Sequence, residues 1–381
     1  MQNRQNRLPG LDLLRALAIV WVMCFHSFLV GGLNEHFAWV QRFGWMGVDL
    51  FFVLSGFLIG SQVLSPLARG EPLSFRDFYI RRAFRILPAF WVVLALYLSF
   101  TWFREAPGLE SWWKFATFTL NLLIDYNRNQ AFSHAWSLCI EEHFYLLFPL
   151  LAWLLVRRLS TRSFAILILL CVSAGIALRA GLWLHDDANA PNRNWFIEDI
   201  YFPTWNRLDG LLAGVALAAL KTFRRSVWDG LARHSNPILV AGLAVVSWSF
   251  WLFAVRTGLL ANTLGWPVLS LGFAMLVFAG AQRSGWLGSI ALPGTAWLAT
   301  ISYSLYLVHK AMYHMVAAHF ADALNGHGLL AFASYAGASL SGAAILYYLV
   351  ERPGLRARSR WLSRSSLVES RLSAPRNKAS A

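Results

Sequence analysis

Six ionisable side chains lie within apolar stretches that are long enough to cross a lipid bilayer. They are His26, Asp49, Glu141, Glu142, Asp209 and His309. Such groups are costly in a bilayer unless they face protein or water, and they mark proton-transfer or binding sites. Counting about 1.5 Å per helical residue places all six at a similar depth, in the outer third of a roughly 30 Å hydrocarbon core. This alignment predicts a polar chamber that opens toward the outside; hydrogen bonding that only joins helices is the alternative explanation.

Three arginines lie near the opposite, cytoplasmic edge of these stretches. Arg15 and His26 are eleven residues apart, an offset of about 20° after whole turns, so they share one helical face. Arg82 and Arg85 are three residues apart and share a face at the start of the third stretch. Planar guanidinium groups suit phosphate recognition, which makes these arginines candidates for a phosphate site. The usual excess of basic residues on the cytoplasmic side is the alternative explanation.

The composition indicates which elements position these groups. Of the 381 residues, 57% are hydrophobic and 14% are charged, and the mean hydropathy is +0.49. These values are typical of polytopic membrane proteins, whose helices need about 20 residues to cross the bilayer. We therefore predict an all-α polytopic membrane helix bundle of about ten transmembrane helices. We place them at 11–31, 45–64, 86–104, 136–156, 164–184, 206–221, 237–255, 263–281, 296–317 and 328–350.

The basic residues indicate how the bundle is oriented. With a cytoplasmic N-terminus, 23 Lys and Arg residues lie on the cytoplasmic side and six on the outer side. Basic loops stay in the cytoplasm, so both termini are predicted to be inside. The net charge of +14 comes from short clusters between apolar runs, which argues against a nucleic-acid partner. We divide the chain into a membrane domain, 1–352, and a basic tail, 353–381, which we predict to be disordered near anionic lipid headgroups.

Six stretches of the sequence occur in an order that resembles one known family. They are GLDLLRALAIVWVMCFH, GWMGVDLFFVLSGFLIG, FYIRRAFRILPAFW, AWSLCIEEHFYLLFPLL, RLDGLLAGVALA and ISYSLYLVH. This order resembles the acyltransferase 3 family of integral membrane O-acyltransferases, from Leu8 to about Arg352. Two features depart from the family: no proline follows His309 closely, and the 29 residues after Arg352 are too few for the extracytoplasmic SGNH-type domain that some members carry. We expect a standalone membrane domain.

The resemblance implies an enzyme that moves an acyl group, usually acetyl, from cytoplasmic acyl-CoA to a hydroxyl of an extracytoplasmic glycan, glycolipid or related envelope molecule. The expected location is the bacterial cytoplasmic membrane. Arg15, Arg82 and Arg85 would bind the coenzyme A phosphates. The expected catalytic residues are His26, Glu142, Asp49 and His309, with His26 as general base and Glu142 as its partner or as the base itself. The expected acceptor-binding residues are Trp136, Glu141, Tyr145, Arg207 and Asp209.

Several alternatives stay open at this stage. A transporter or flippase of a glycan or lipid intermediate would also carry intramembrane acids and histidines, as proton-relay groups. A glycosyltransferase with a lipid-phosphate donor is a further alternative. The sequence does not separate general-base catalysis from a covalent acyl-histidine, nor a homo-oligomer from a separate periplasmic partner. No metal site or tightly bound cofactor is expected, because Cys24, Cys139 and Cys171 lie in apolar stretches without the spacing of metal ligands.

Overall fold

The computed structural model describes residues 7–33, 35–156, 160–189 and 194–373. Within these residues the chain forms helices and no β-strand, which confirms the predicted all-α class. The main helices are α1 (Pro9–His26), α2 (Met46–Ala68), α3 (Phe75–Ser99), α4 (Trp136–Val156), α5 (Thr161–Asn189), α6 (Asp209–Phe223), α7 (Ser235–Leu252), α8 (Trp266–Gly280), α9 (Thr295–Leu324), α10 (Gly328–Leu346) and α11 (Arg352–Ser373).

Eight helices of the described chain are long and apolar enough to cross a membrane. They correspond to eight of the ten predicted spans, and the chain is a multi-pass membrane protein. The other two predicted spans are also helical. Helix α6 has only 15 residues, and α9 has 30 residues but carries the polar side chains Ser304, His309 and Lys310 on its buried side. Such buried polar side chains lower the mean hydropathy of α9, as is usual for a membrane helix that carries the polar groups of a site.

Helix α3 begins earlier than the span predicted at 86–104. Its first turn follows Ser74, whose hydroxyl accepts a hydrogen bond from the Asp77 backbone N–H at 3.3 Å. A serine in this position satisfies one of the free N–H groups at a helix start. Arg82 and Arg85 therefore lie two to three turns inside the helix rather than at its beginning, and both are half-buried.

The helices differ in how much of their surface the bundle covers. In the most apolar stretch of each helix, about 61% of α2 and 67% of α8 is buried, but only 6% of α5. Helices covered on all sides form the centre, whereas an apolar helix with an exposed surface faces lipid. The centre of the bundle thus contains α2 and α8, and α5 lies at its edge.

Two glycines allow α2 and α6 to touch through their backbones. A Cβ atom added at Gly56 would lie 2.1 Å from the Leu211 carbonyl oxygen, and one at Gly214 would lie 2.2 Å from that of Val53. Small residues permit this close approach in membrane helices, where packing rather than water exclusion drives association. The contact places the first turns of α2 and α6 next to each other, which positions two of the predicted acidic residues.

The first part of the basic tail is helical, whereas the sequence analysis predicted disorder. A π-helical turn, Tyr347–Glu351, leads directly from α10 into α11. Helix α11 packs on α3: a Cβ atom added at Gly354 would lie 3.3 Å from Pro88, and the Arg76 guanidinium lies 4.5 Å from the centre of the Trp361 ring. These contacts supply the burial that the composition of the tail alone does not indicate. Residues 374–381 lie outside the described chain.

Candidate active site

The predicted donor-binding arginines line one cavity of about 140 Å³ between α1, α2, α3, α4 and α9. Its lining includes Arg15, Arg82, Arg85, Glu141, Glu142 and Tyr145. The sequence analysis placed the arginines near the cytoplasmic edge and the two glutamates near the outer edge. The structure instead brings both sets to the same cavity.

The cationic groups of this cavity have few anionic partners. Arg15 has no hydrogen bond or ion pair within the described part of the chain and lines the cavity. Arg82 donates a hydrogen bond to the Gln62 side-chain oxygen at 3.1 Å, and Arg85 forms an ion pair with the buried Glu351. A cation without a counter-ion in a low-dielectric site is costly, so the part of the cavity around Arg15 is suited to an anionic group of a ligand.

The two glutamates of the α4 motif have different surroundings. Glu141 accepts a hydrogen bond from the Ser55 hydroxyl at 2.7 Å, and Ser55 lies 2.8 Å from the Tyr145 hydroxyl. This network holds the Glu141 carboxylate in place. Glu142 lines the cavity and hydrogen-bonds to no side chain of the described residues. The expected contact between Glu142 and His26 is absent there, because the cavity that Glu142 faces does not include His26.

His26 contacts a histidine of α9 instead. Nδ1 of His26 lies 3.0 Å from Nε2 of His309 and 3.1 Å from the Val22 carbonyl oxygen. Nδ1 of His309 lies 2.9 Å from the Tyr306 carbonyl oxygen and 3.2 Å from that of Leu305. Two of the predicted catalytic residues are therefore brought together from positions 283 residues apart in the chain.

These contacts assign the tautomer of each ring. A carbonyl oxygen only accepts, so Nδ1 of His309 carries a proton and its Nε2 carries the lone pair. That lone pair accepts the proton of His26 Nδ1, which also faces a carbonyl. In the neutral ring the Nε2 of His26 then holds a lone pair, and it has no hydrogen-bond partner among the described residues. The geometry leaves this nitrogen available as a base.

The sequence analysis missed a third histidine at this place. His134 is buried, and its ring centre lies 5.2 Å from that of His309 and 6.2 Å from that of His26. It precedes Trp136 by two residues in a short 3₁₀ turn. Because that turn lies before the span predicted at 136–156, His134 was not counted among the intramembrane groups. Its position next to the α4 motif was the signal that could have identified it.

An ion pair adjoins His134 from the other side. Lys310 Nζ lies 2.7 Å from Glu105 Oε1, and the same oxygen lies 3.9 Å from His134 Nδ1. Burial alone would raise the pKa of Glu105, but the charge of the Lys310 ammonium and the hydrogen bonds to the carboxylate together lower the pKa below its usual value. Glu105 therefore stays ionised and balances the charge of Lys310 beside the histidines.

Three more of the predicted catalytic and acceptor-binding residues are held in buried ion pairs. Arg207 Nη2 lies 2.6 Å from Asp49 Oδ1. Arg179 of α5, which the sequence analysis left out, binds Asp209 through two contacts of 2.8 and 3.2 Å. None of these four side chains lines the cavity or hydrogen-bonds to His26 within the described residues. Removing one partner of a buried pair is strongly destabilising, so these residues have an evident structural role.

Trp136 belongs to the same buried group. The Arg207 guanidinium lies 3.6 Å from the centre of the Trp266 ring, 4.5 Å from Tyr201 and 5.4 Å from Trp136. Cation–π contacts of this kind stabilise a desolvated guanidinium. The six residues expected to share one chamber are thus divided among three groups. Glu141 and Glu142 line the cavity. His26 and His309 form a histidine cluster with His134, and Asp49 and Asp209 are paired with arginines.

Tyr306 contacts both the cavity and the histidine cluster. It lines the cavity, and its ring centre lies 5.4 Å from that of His134 and 5.9 Å from that of His309. Its hydroxyl donates to the His134 carbonyl oxygen at 2.7 Å and lies 2.6 Å from the Ser137 hydroxyl. One side chain therefore contacts both the arginine-lined cavity and the rings of His134 and His309.

The chain matches the sequence model of a known protein family. The sequence model of the acyltransferase 3 family, described as an acyltransferase domain, matches residues 8–348. The chain belongs to this family. The match confirms the resemblance stated from the motifs, and it confirms the predicted class of enzyme at the level of the family.

Curated relatives of this family carry more specific names. The chain is 28% identical over 323 residues to the O-acetyltransferase OatA of Staphylococcus aureus strain NCTC 8325, a match that covers 79% of this chain and 50% of that protein. It is 29% identical over 330 residues to the peptidoglycan O-acetyltransferase OatA of Listeria monocytogenes, covering 79% and 49%. The chain thus spans about half the length of the curated relatives it matches. No solved structure matches it significantly.

Proposed function

We propose that this protein transfers an acetyl group from cytoplasmic acyl-CoA to a hydroxyl of an extracytoplasmic cell-wall glycan, at the bacterial cytoplasmic membrane. One observation carries the proposal: through Tyr306, a cavity lined by three arginines lies next to a histidine pair in which Nε2 of His26 has no hydrogen-bond partner among the described residues. The names of the relatives support acetyl as the group, and the Listeria relative supports peptidoglycan as the acceptor.

The donor would enter from the cytoplasm. The distribution of 23 basic residues against six supports a cytoplasmic position for the arginine side of the cavity. Phosphate groups of coenzyme A would contact the unpaired Arg15 and the neighbouring Arg82. The extended pantetheine arm would then direct the thioester toward Ser137 and Tyr306, which close the cavity on the side of the histidines.

The histidine cluster would supply the base. Nε2 of His26 would take the proton of the acceptor hydroxyl while its oxygen attacks the thioester carbonyl carbon. The C–O bond forms, the C–S bond breaks, and the thiolate sulfur receives the proton from His26, so no net charge is created. Tyr306, which lines the cavity and contacts the rings of His134 and His309, would lie next to the thioester during transfer. In this scheme Glu142 faces the donor, and its predicted role beside His26 has no support from the geometry.

Mass spectrometry of cell-envelope glycans tests the function. A strain that lacks this gene is expected to lose O-linked acetyl groups from its cell-wall glycan, and complementation with the parental gene is expected to restore them. Loss of a different acyl group would change the donor but retain the enzyme class. An envelope of unchanged acylation in the deletion strain, under conditions in which the parent expresses the protein, would contradict the proposal.

Substitution of the unpaired arginine tests the donor site. Arg15→Ala is expected to weaken acetyl-CoA binding by about 10- to 100-fold, because a charge-assisted hydrogen bond to phosphate is worth about 1.5–3 kcal/mol. Isothermal titration of the purified protein measures this. Arg128→Ala is the control, since Arg128 is 84% exposed in an outer loop. Equal affinities of the two variants would mean that Arg15 does not bind the donor.

A further inference from the structure

Helix α11 lies beyond the part of the chain that matches the family, 8–348, yet it packs beside the arginines of α3. Gly354 approaches Pro88 and the Phe84 carbonyl oxygen closely, and Trp361 stacks under Arg76. Arg358 lies on this packed side of α11 and is half-buried, whereas Arg356 and Arg360 are exposed. The fold therefore directs one particular arginine of the tail toward α3.

The charges around Arg358 have the same sign. Arg358 interacts electrostatically with Arg81, Arg85 and Arg82, and each interaction is repulsive. Arg82 in addition has a buried Nε without a hydrogen-bond partner. Like charges destabilise one another most where water is excluded, so this cluster of four arginines needs anions to balance it.

The protein supplies few such anions. Within the described chain, Glu351 is the acid that pairs with the cluster, through Arg85. Its second carboxylate oxygen already accepts a hydrogen bond from Ser304 at 2.7 Å. Glu141 and Glu142 interact with Arg82 at longer range but form no ion pair with any of the four arginines. The remaining positive charge is available to a ligand.

The size of the neighbouring cavity indicates where that ligand lies. At about 140 Å³ the cavity is much smaller than the roughly 300–1,000 Å³ that ligand pockets usually provide. It has room for part of a coenzyme A thioester only. The nucleotide with its 3′-phosphate must then lie outside, beyond the phosphates that Arg15 and Arg82 would contact. Arg85 lines the cavity and pairs with Glu351, the residue directly before α11, so α11 adjoins the cavity on the side of Arg85, which we take as its mouth.

We propose that α11 completes a phosphate-binding site at this mouth, in which Arg358 and Arg81 act together with Arg82 and Arg85. The ligand is a phosphate group, either of the nucleotide part of the acyl-CoA donor or of an anionic lipid headgroup. The first source rests on the proposed function, and the second does not. In both cases a helix outside the matched family region contributes to binding.

The test uses the purified full chain in nanodiscs of neutral phosphatidylcholine. Arg358→Ala is expected to weaken coenzyme A binding by about tenfold, the loss of one charge-assisted phosphate contact. Arg360→Ala, on the same helix but exposed, is the matched control and is expected to keep the parental affinity. Arg358→Lys is expected to recover most of the binding, which separates loss of charge from loss of fold. Dephospho-coenzyme A, which lacks the 3′-phosphate, identifies which phosphate contacts Arg358.

A second arm distinguishes the lipid from the donor. Thermal unfolding is measured in nanodiscs with and without phosphatidylglycerol. If Arg358→Ala leaves coenzyme A affinity unchanged but removes the stabilisation by phosphatidylglycerol, the site binds a lipid headgroup. This result would support the site even if the parental protein bound no coenzyme A. A lack of coenzyme A binding would count against the proposed function but not against the phosphate site. If Arg358→Ala and Arg360→Ala behave alike in both arms, the phosphate site on α11 is refuted.

Discussion

Replacing His26 with alanine is expected to lower the rate of acyl transfer by about 10²–10⁴-fold, the usual cost of losing a general base. Nε2 of His26 is the nitrogen that the hydrogen bonds around Val22 and His309 leave unprotonated, and it has no hydrogen-bond partner in the part of the chain that the structure describes. The binding of acetyl-CoA should persist in this variant, because the cavity lined by Arg15 and Arg82 does not include His26. Transfer of radiolabelled acetyl groups, combined with donor titration, measures both quantities.

His314→Ala is the control for this experiment. His314 lies on α9, as His309 does, but it contacts neither the cavity nor His26 in the described structure. It is expected to retain most of the activity. A His26→Ala protein that is correctly folded and transfers acetyl groups at the parental rate would exclude His26 as the base. Glu142, which faces the cavity without a hydrogen-bonded side chain, would become the next candidate.

Replacing His309 with alanine is expected to lower kcat by about 10²-fold while the KM for the donor stays within a few-fold. In the proposed mechanism His309 is a positioning residue: its Nε2 lies 3.0 Å from His26 Nδ1, would accept the proton of that nitrogen and would so hold the base in its active tautomer. In serine proteases, loss of the group that fixes the tautomer of the catalytic histidine costs about 10⁴-fold. A neutral acceptor such as His309 stabilises less than a carboxylate, which accounts for the smaller expected effect.

His309→Gln separates this role from simple packing. The glutamine side-chain oxygen can take the place of Nε2 as an acceptor, so this variant is expected to recover part of the kcat lost in His309→Ala. A variant that only repaired packing would restore the amount of folded protein without changing kcat per folded molecule. Equal kcat values for the alanine and glutamine variants would therefore contradict the positioning role.

The helical membrane architecture could be predicted from the sequence, because it depends on local properties. Apolar runs of about 20 residues form helices in a bilayer, where every backbone group must find its partner within the same helix. Eight of the ten predicted spans met this criterion, and the other two were helical as well. The motifs around Arg15, Glu141 and His309 identified the family for the same reason, since each is a short continuous stretch.

The prediction of the site was less complete, because counting residues along a helix gives a depth but no direction around the bundle. Depth alone placed Glu142 and Asp49 beside His26. The structure puts Glu142 on the arginine cavity and pairs Asp49 with Arg207, which is 158 residues away in the chain. Residues outside the predicted spans, such as His134, could not enter a count that was restricted to those spans.

What the sequence by itself determined is the family of the protein, its all-α membrane class and the positions of most of its helices. Only the tertiary structure decided which of its polar residues meet. His26 and His309 are joined across 283 residues, and Asp209 is neutralised by Arg179 from α5. The physical reason is that hydrophobicity and helix formation act within one segment, whereas the partner of a buried polar group is selected by how the helices pack against one another.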